Sequence, residues 1–297
     1  MSKGDRFTLL GDDGACPYFW PLGDRYILFF FSHMSGGQAL LGDYDKKRDK
    51  FVVTDHYRFN FGAYAPGGVH APSASPDDRG GIMLIFNMNP ARPTSGWNQI
   101  MTLPRHVTLP HRDELRIEPV DAVRSLRYAH ENVGPMELPA NREVLLEKVQ
   151  GKEMEIMAEI DPQEAPMVEL NVFRSPGREE FTRIAFFSER GYHNRGHRRE
   201  GPPYGLVSID SSYASLDPEA KSRAPETAPV LLQQGEPLRL RVFTDRSVVE
   251  VFVNDKQCLA QRVYPSREDS KGVSLRSQGS PARLNSLNSW RMRSIYP

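Results

Sequence analysis

The side chains in this chain best suited to chemistry are carboxylates, imidazoles, amides and indoles near the ends of short apolar runs. Asp12 and Asp13 stand one glycine before Ala15-Cys16-Pro17, and Asp43 and Asp45 lie in a second polar break. Retaining cleavage of a glycosidic bond needs two carboxyl groups about 5 Å apart, one to attack the anomeric carbon and one to protonate the leaving oxygen. Asp13 is no more than a backup acid candidate, and nothing in the sequence supports a second carboxylate facing it. The structural reading of all four aspartates is turn formation, because Asp bonds nearby backbone amides.

A second group has the character of a sugar-binding wall. Cys16, Trp20, His70, Asn87, Asn89 and Trp97 lie at or beside expected strand ends. Aromatic faces and amide groups suit sugars, which present C–H patches and hydroxyls in alternation. Taken singly, Trp20 also reads as core, and His70 and Asn87 as ordinary polar groups at loops or strand ends. His193 and His197 share one Arg-rich loop. Two imidazoles four residues apart meet on one metal only if the segment is helical. Gly191 and Gly196 and the adjacent positive charge oppose this, so no metal is expected there.

The elements positioning these groups are strands. Residues 238–265 read as three consecutive antiparallel strands: Leu238, Leu240 and Val242 alternate with Arg239, Arg241 and Phe243, and Val249, Val251 and Val253 alternate with Val248, Glu250 and Phe252. Period-two alternation of β-branched and aromatic residues between turn signals is a strand pattern. Residues 26–32 form an apolar run expected to be buried on both faces. Further strands are expected over 7–10, 16–20, 39–44, 50–54, 82–87, 99–103 and 114–118, with a Gly/Pro-rich loop over 61–72. Residues 120–131 show helical spacing at Val120, Val123, Leu126 and Ala129, which predicts a short helix. Strands are expected again over 144–149, 154–160, 168–172, 182–187, 273–276 and 284–292, with a polar hairpin tip at 189–204.

Bulk composition narrows the partners. The 38 basic and 38 acidic residues cancel, so no broad basic field invites nucleic acid or an anionic membrane surface. Two distant cysteines, Cys16 and Cys258, make neither a disulfide framework nor a CxxC site. Residues 1–10 lack the apolar core of a signal peptide. The chain as it stands is therefore expected in the cytoplasm, or outside the cell if Met1 is not the natural start.

The segments DRSVVEVFVND and RVYP, with FRSPGREEFTRIAF (173–186) and LVSIDSSYASLD (206–217) upstream in the same order, resemble the closing β-sandwich of glycoside hydrolase family 32, the invertase, levanase and inulinase family. ACPYFWPLGDRYILFF and WNQIMTLPRHVTL resemble the later part of that family's five-bladed propeller. The resemblance implies an all-β fold: a partial β-propeller over 1–128, a linker over 129–138 and a C-terminal β-sandwich over 139–297. It implies hydrolysis of β-fructofuranosides such as sucrose, levan or inulin through a covalent intermediate without cofactor, and it makes Asp245 and Glu250 structural. It also implies three catalytic carboxylates that this sequence does not supply. Neither the Asn-Asp-Pro-Asn nor the Arg-Asp-Pro motif occurs, and Ala15 stands where the family has the Glu of Glu-Cys-Pro. Losing a general acid costs a factor of about a hundred to ten thousand in rate. The polypeptide alone is therefore expected to be inactive, the alternatives being a carbohydrate-binding module or a structural half. With space for two or three blades, the propeller is expected to leave an open flank for self-association or a partner chain.

Overall fold

The computed structural model describes residues 11–62, 64–188 and 205–296. The strand expected over 7–10 and the hairpin tip at 189–204, with His193 and His197, lie outside the described residues.

Two antiparallel sheets make up the first part. The first runs in order β1 (Ala15–Leu22), β2 (Arg25–Ser32), β3 (Gly36–Asp45), β4 (Lys50–Arg58). The second contains β5 (Val69–Pro76), β6 (Ile82–Met88), β7 (Ile100–Met101), β8 (Arg105–His111) and β9 (Glu114–Pro119), in order β5-β6-β8-β9 with β7 paired to β6. These are two propeller-type blades packed face to face. The loop expected over 61–72 is shorter than the Gly/Pro content suggested, because β5 begins at Val69. β8 was hidden by its mixed content, RHVTLPH.

Ile27, Phe29, Ala39 and Leu41 of the first blade and Ile82, Leu84, Phe86 and Val107 of the second are fully buried in one shared core. Removing an apolar side chain of this size from water contributes about 1.5–3 kcal/mol. Gly42 sits at a register shift between β3 and β4, where an added Cβ would stand 2.3 Å from the Val52 carbonyl oxygen. Backbone cannot yield as a flexible side chain does. Gly42→Ala is accordingly expected to cost about 1–3 kcal/mol in chemical denaturation; an unchanged midpoint would contradict this packing.

The helical spacing of residues 120–131 misled in part. A 3-10 helix spans Asp121–Leu126, and the chain then enters β10 (Arg127–Val133). Ala129, at φ 47, lies in a register shift between Tyr128 and Glu131. That shift breaks the two-residue rhythm and mimics helical periodicity. Residues 129–138, expected as a linker, lie mostly in β10 and β11 (Met136–Leu138), both paired with the last strand of the chain.

The second part is a two-sheet sandwich. Its remaining strands are β12 (Glu143–Gln150), β13 (Glu153–Asp161), β14 (Met167–Arg174), β15 (Thr182–Phe187), β16 (Gly205–Asp210), β17 (Glu226–Val230), β18 (Leu238–Asp245), β19 (Val248–Val253), β20 (Gln257–Arg262), β21 (Gly272–Gln278) and β22 (Ala282–Met292). One sheet runs β10-β22-β13-β18-β19-β20 with β11 beside β22, and the other runs β12-β21-β14-β15-β16-β17. The three strands expected over 238–265 are β18, β19 and β20. Leu238, Leu240, Val242, Val249, Val251 and Val253 face the core between the sheets.

The opposite face is buried as well. Phe243, Val248, Phe252, Cys258 and Ala260 join the propeller core. The sheet is thus covered by its partner sheet on one side and by the blades on the other, which is why β19 is buried along its whole length. Glu250, alone among its apolar neighbours, accepts the Leu103 N–H at 2.6 Å and pairs with Arg105 at 3.3 Å.

Candidate functional site

One end of the two blades gathers several polar residues with ring systems. Ala15 opens β1 opposite Phe31, the next-to-last residue of β2. Cys16 follows at φ 52, and the register shifts between Ala15 and Tyr18. A non-glycine residue in the left-handed region is uncommon in a strand, and here the irregularity leaves Cys16 exposed. Asp13, two residues before Ala15, is bound to His33 just beyond the end of β2. Its Oδ1 accepts the His33 backbone N–H at 3.0 Å, and its Oδ2 lies 2.6 Å from the His33 ring Nδ1. These contacts hold the Asp13 carboxyl below the usual range, so Asp13 is ionised at neutral pH. Asp12 accepts the Ser35 hydroxyl, Ser35 in turn accepts the Gln38 amide, and Gln38 reaches His56.

The second blade brings its own strand ends to the same place. The Phe31 ring meets His33, Tyr64 and His70 edge-on, and His33 also meets Tyr64 edge-on. His70, near the start of β5, pairs with Asn87 of β6, and Asn87 pairs with Met101 of β7. His70 Nδ1 is buried without a hydrogen-bond partner. Burial first, and the neighbouring His33 second, push this imidazole below its usual range. Asn89 donates to the Tyr64 carbonyl at 2.9 Å and accepts from Gln99 at 3.3 Å. Asn60 holds the Gly37 N–H, against a close approach of Gly36 and Gly37 that a Cβ would block.

Of the residues singled out from sequence, Asp13, Ala15, Cys16, His70 and Asn87 belong to this end. Two do not. Trp20, further along β1, donates its indole N–H to the Ala74 carbonyl at 3.3 Å and packs on the propeller core. Trp97 lies over the Arg262 guanidinium, 5.0 Å from its ring centroid, where the blades meet the sandwich. Sequence reasoning passed over His33 and Tyr64. The signal was present in their settings, since each precedes a glycine-rich turn, SHMSGG and AYAPGG. Among the described residues no three or more His, Cys, Asp or Glu side chains converge as a metal site, and no helix is long and apolar enough to cross a membrane.

The Asp13–His33–His70 relation is testable alone. His33→Ala removes the ring contact that chiefly depresses Asp13, while the backbone N–H stays, and it removes the lesser of the two causes that depress His70, burial being the larger. Both values are expected to move up toward their ordinary positions, about 3.9 and 6.5, in NMR titrations of the carboxyl and imidazole resonances. Unshifted curves would show that the groups do not sense each other.

The deciding comparison is with families. The model for the glycosyl hydrolases family 32 C-terminal region matches residues 122–291. The chain belongs to glycoside hydrolase family 32. It is 27% identical over 277 residues to a levanase of Bacillus subtilis (strain 168), covering 88% of this chain and 38% of the levanase. It is 23% identical to an acid beta-fructofuranosidase of Vicia faba, covering 86% of this chain and 45% of that one. The chain thus spans less than half the length of either relative. Among solved structures it superposes on a point variant of fructan 1-exohydrolase IIa from Cichorium intybus, in complex with 1-kestose, with TM-score 0.82 and 16% identity over 95% of this chain and 62% of that one. An exo-inulinase from Aspergillus awamori gives TM-score 0.75 and 15% identity over 98% of this chain and 59% of that one. These likenesses carry the fold, propeller blades followed by a β-sandwich.

Proposed function

We propose that this chain provides later propeller blades and the sandwich of a β-fructofuranosidase-type glycoside hydrolase acting on sucrose, levan or inulin, and that residues 1–297 alone do not hydrolyse the fructosyl bond. Residues 1–128 carry the sugar-facing end, and residues 139–297 support it. The observation that carries the reading is the state of the Ala15 end. A methyl group stands where the resemblance places the proton donor. The carboxylates nearest it in sequence, Asp12 and Asp13, are tied to Ser35 and His33. An ionised Asp13 cannot donate the proton that the leaving oxygen needs. Binding without cleavage is favoured by the same end, whose His33, Tyr64, His70 and Asn87 offer ring edges and polar groups to a fructoside.

Purified chain incubated with sucrose and with inulin is expected to release no reducing sugar above the buffer blank. Turnover comparable with a complete invertase would overturn the inactivity, and its loss in Asp13→Asn would then identify the acid.

A further inference from the structure

Arg262, the last residue of β20, is 2% exposed. Its Nε and Nη2 donate to the Ser247 carbonyl and hydroxyl, each at 3.1 Å. Its Nη1 is buried with no acceptor, and no carboxylate among the described residues pairs with it. The Trp97 and Tyr264 ring centroids each lie 5.0 Å from its Cζ. Those ring faces attract the cation, but they accept nothing from the in-plane N–H of Nη1. A buried guanidinium left in this state is costly, and an unsatisfied buried donor in a native fold calls for a missing water or ion.

The same arginine lines a cavity of about 60 Å³ among the sandwich loops, together with Ser211, Ser215, Ser222, Lys221 and Tyr264. The polar groups there are donors. Ser211 and Ser215 accept from Gln261 and from the Asp217 N–H, which leaves their hydroxyl hydrogens to donate. Tyr264 accepts the Ala91 N–H and likewise keeps its own hydrogen. The nearby carboxylates are already engaged, Asp210 with Arg183 at 2.7 Å and Asp217 with Arg92 at 2.9 Å. The cavity is several times larger than one water requires.

We propose that this crevice binds a tetrahedral oxyanion, either free phosphate or sulfate or the phosphate of a phosphomonoester. The Arg262 guanidinium and Lys221 supply the charge, and the serine hydroxyls supply donors. Such an anion balances a buried guanidinium that has no carboxylate partner among the described residues, and charge-assisted bonds of this kind are the stronger class. Because the cavity adjoins Lys221, whose N–H bonds the Ala91 carbonyl of the first part at 2.7 Å, the anion would also tie the blades to the sandwich.

The test titrates inorganic phosphate into the whole chain at constant ionic strength, with sodium chloride as the balancing salt. The readout is emission of Trp97, taken as the difference from Trp97→Phe. A saturable change at millimolar phosphate or below is expected. It should weaken at least about tenfold in the exposed-loop variant Lys221→Ala/Ser222→Ala, the loss of one charged contact, and vanish in Arg262→Gln. If Arg262→Gln fails to fold, the loop variant still decides. Glucose 6-phosphate separates the sources: tighter binding than phosphate marks the group as a handle on a larger ligand, and equal binding marks the free ion. No saturable change, an equal response to chloride, or an unweakened loop variant would each overturn the site.

Discussion

Glu180→Ala is expected to destabilise the sandwich by at least about 3 kcal/mol. Glu180 is fully buried and accepts five hydrogen bonds. They come from the N–H groups of Leu216, Ser266 and Arg267 and from the hydroxyls of Ser266 and Ser270. One carboxylate thereby fixes two loops at one end of the sandwich. Alanine strands all five donors, and each buried unsatisfied donor costs about 1–3 kcal/mol, some of which relaxation and water recover. Glu180→Gln should cost less, because one amide oxygen still accepts. The pH dependence has a definite sign. Burial pushes the Glu180 carboxyl up, but the donors from Ser266, Ser270, Leu216 and Arg267 outweigh it and hold the folded value below the usual range. A depressed carboxyl contributes stability that is complete above the unfolded value near about 4.3 and is lost as pH falls through the folded value. Urea denaturation of wild type should therefore lose stability between about pH 5 and pH 3, and Glu180→Gln should lose less over the same window. A Glu180→Ala midpoint within error of wild type would remove this carboxylate from its structural role.

Glu250→Ala should be comparably severe, at about 3–5 kcal/mol, for a different reason. Removing the carboxylate leaves Arg105, which is 0% exposed, as an uncompensated buried charge, and it frees the Leu103 N–H. Replacing both members with apolar groups, as in Arg105→Met/Glu250→Leu, should recover much of the loss, because the penalty lies in the orphaned partner more than in the missing bond. Cys258 is a built-in reporter. It is buried beside this pair, and burial pushes its thiol up to about 12, so it should resist alkylation in the native wild type. Alkylation should accelerate in Glu250→Ala and return toward the wild-type rate in the double variant. Equal rates in all three would mean that the pair does not hold the blades to the sandwich.

Strand positions were legible where one alternation had one cause. Leu238, Leu240 and Val242 point into a single core, and their spacing says so. At β19 both faces are buried for separate reasons, so its sequence, VVEVFV, shows apolarity but not which face meets the blades. Glu250 was the clue to that second interface, since a carboxylate in such a strand needs a cationic partner from elsewhere, here Arg105. The helix expected over 120–131 failed after Leu126 because ladder pairing with β22, shifted at Ala129, outweighed local spacing. Asp13, His70 and Asn87 were singled out from sequence, and the structure brings them to one end of the blades. His33 and Tyr64 were missed because their role comes from two blades meeting, a contact between residues distant in sequence. Trp20 and Trp97 were drawn in by their chemistry alone, and backbone and cation contacts claim them instead.

The most direct test of the proposed sugar site is an NMR titration of the isotope-labelled chain with 1-kestose. The expected result is saturable shift changes confined to residues around Ala15, His33, Tyr64, His70 and Asn87, with no free fructose appearing in the same sample. Shifts that stay fixed at millimolar ligand, or that cluster away from that end of the blades, would contradict the reading.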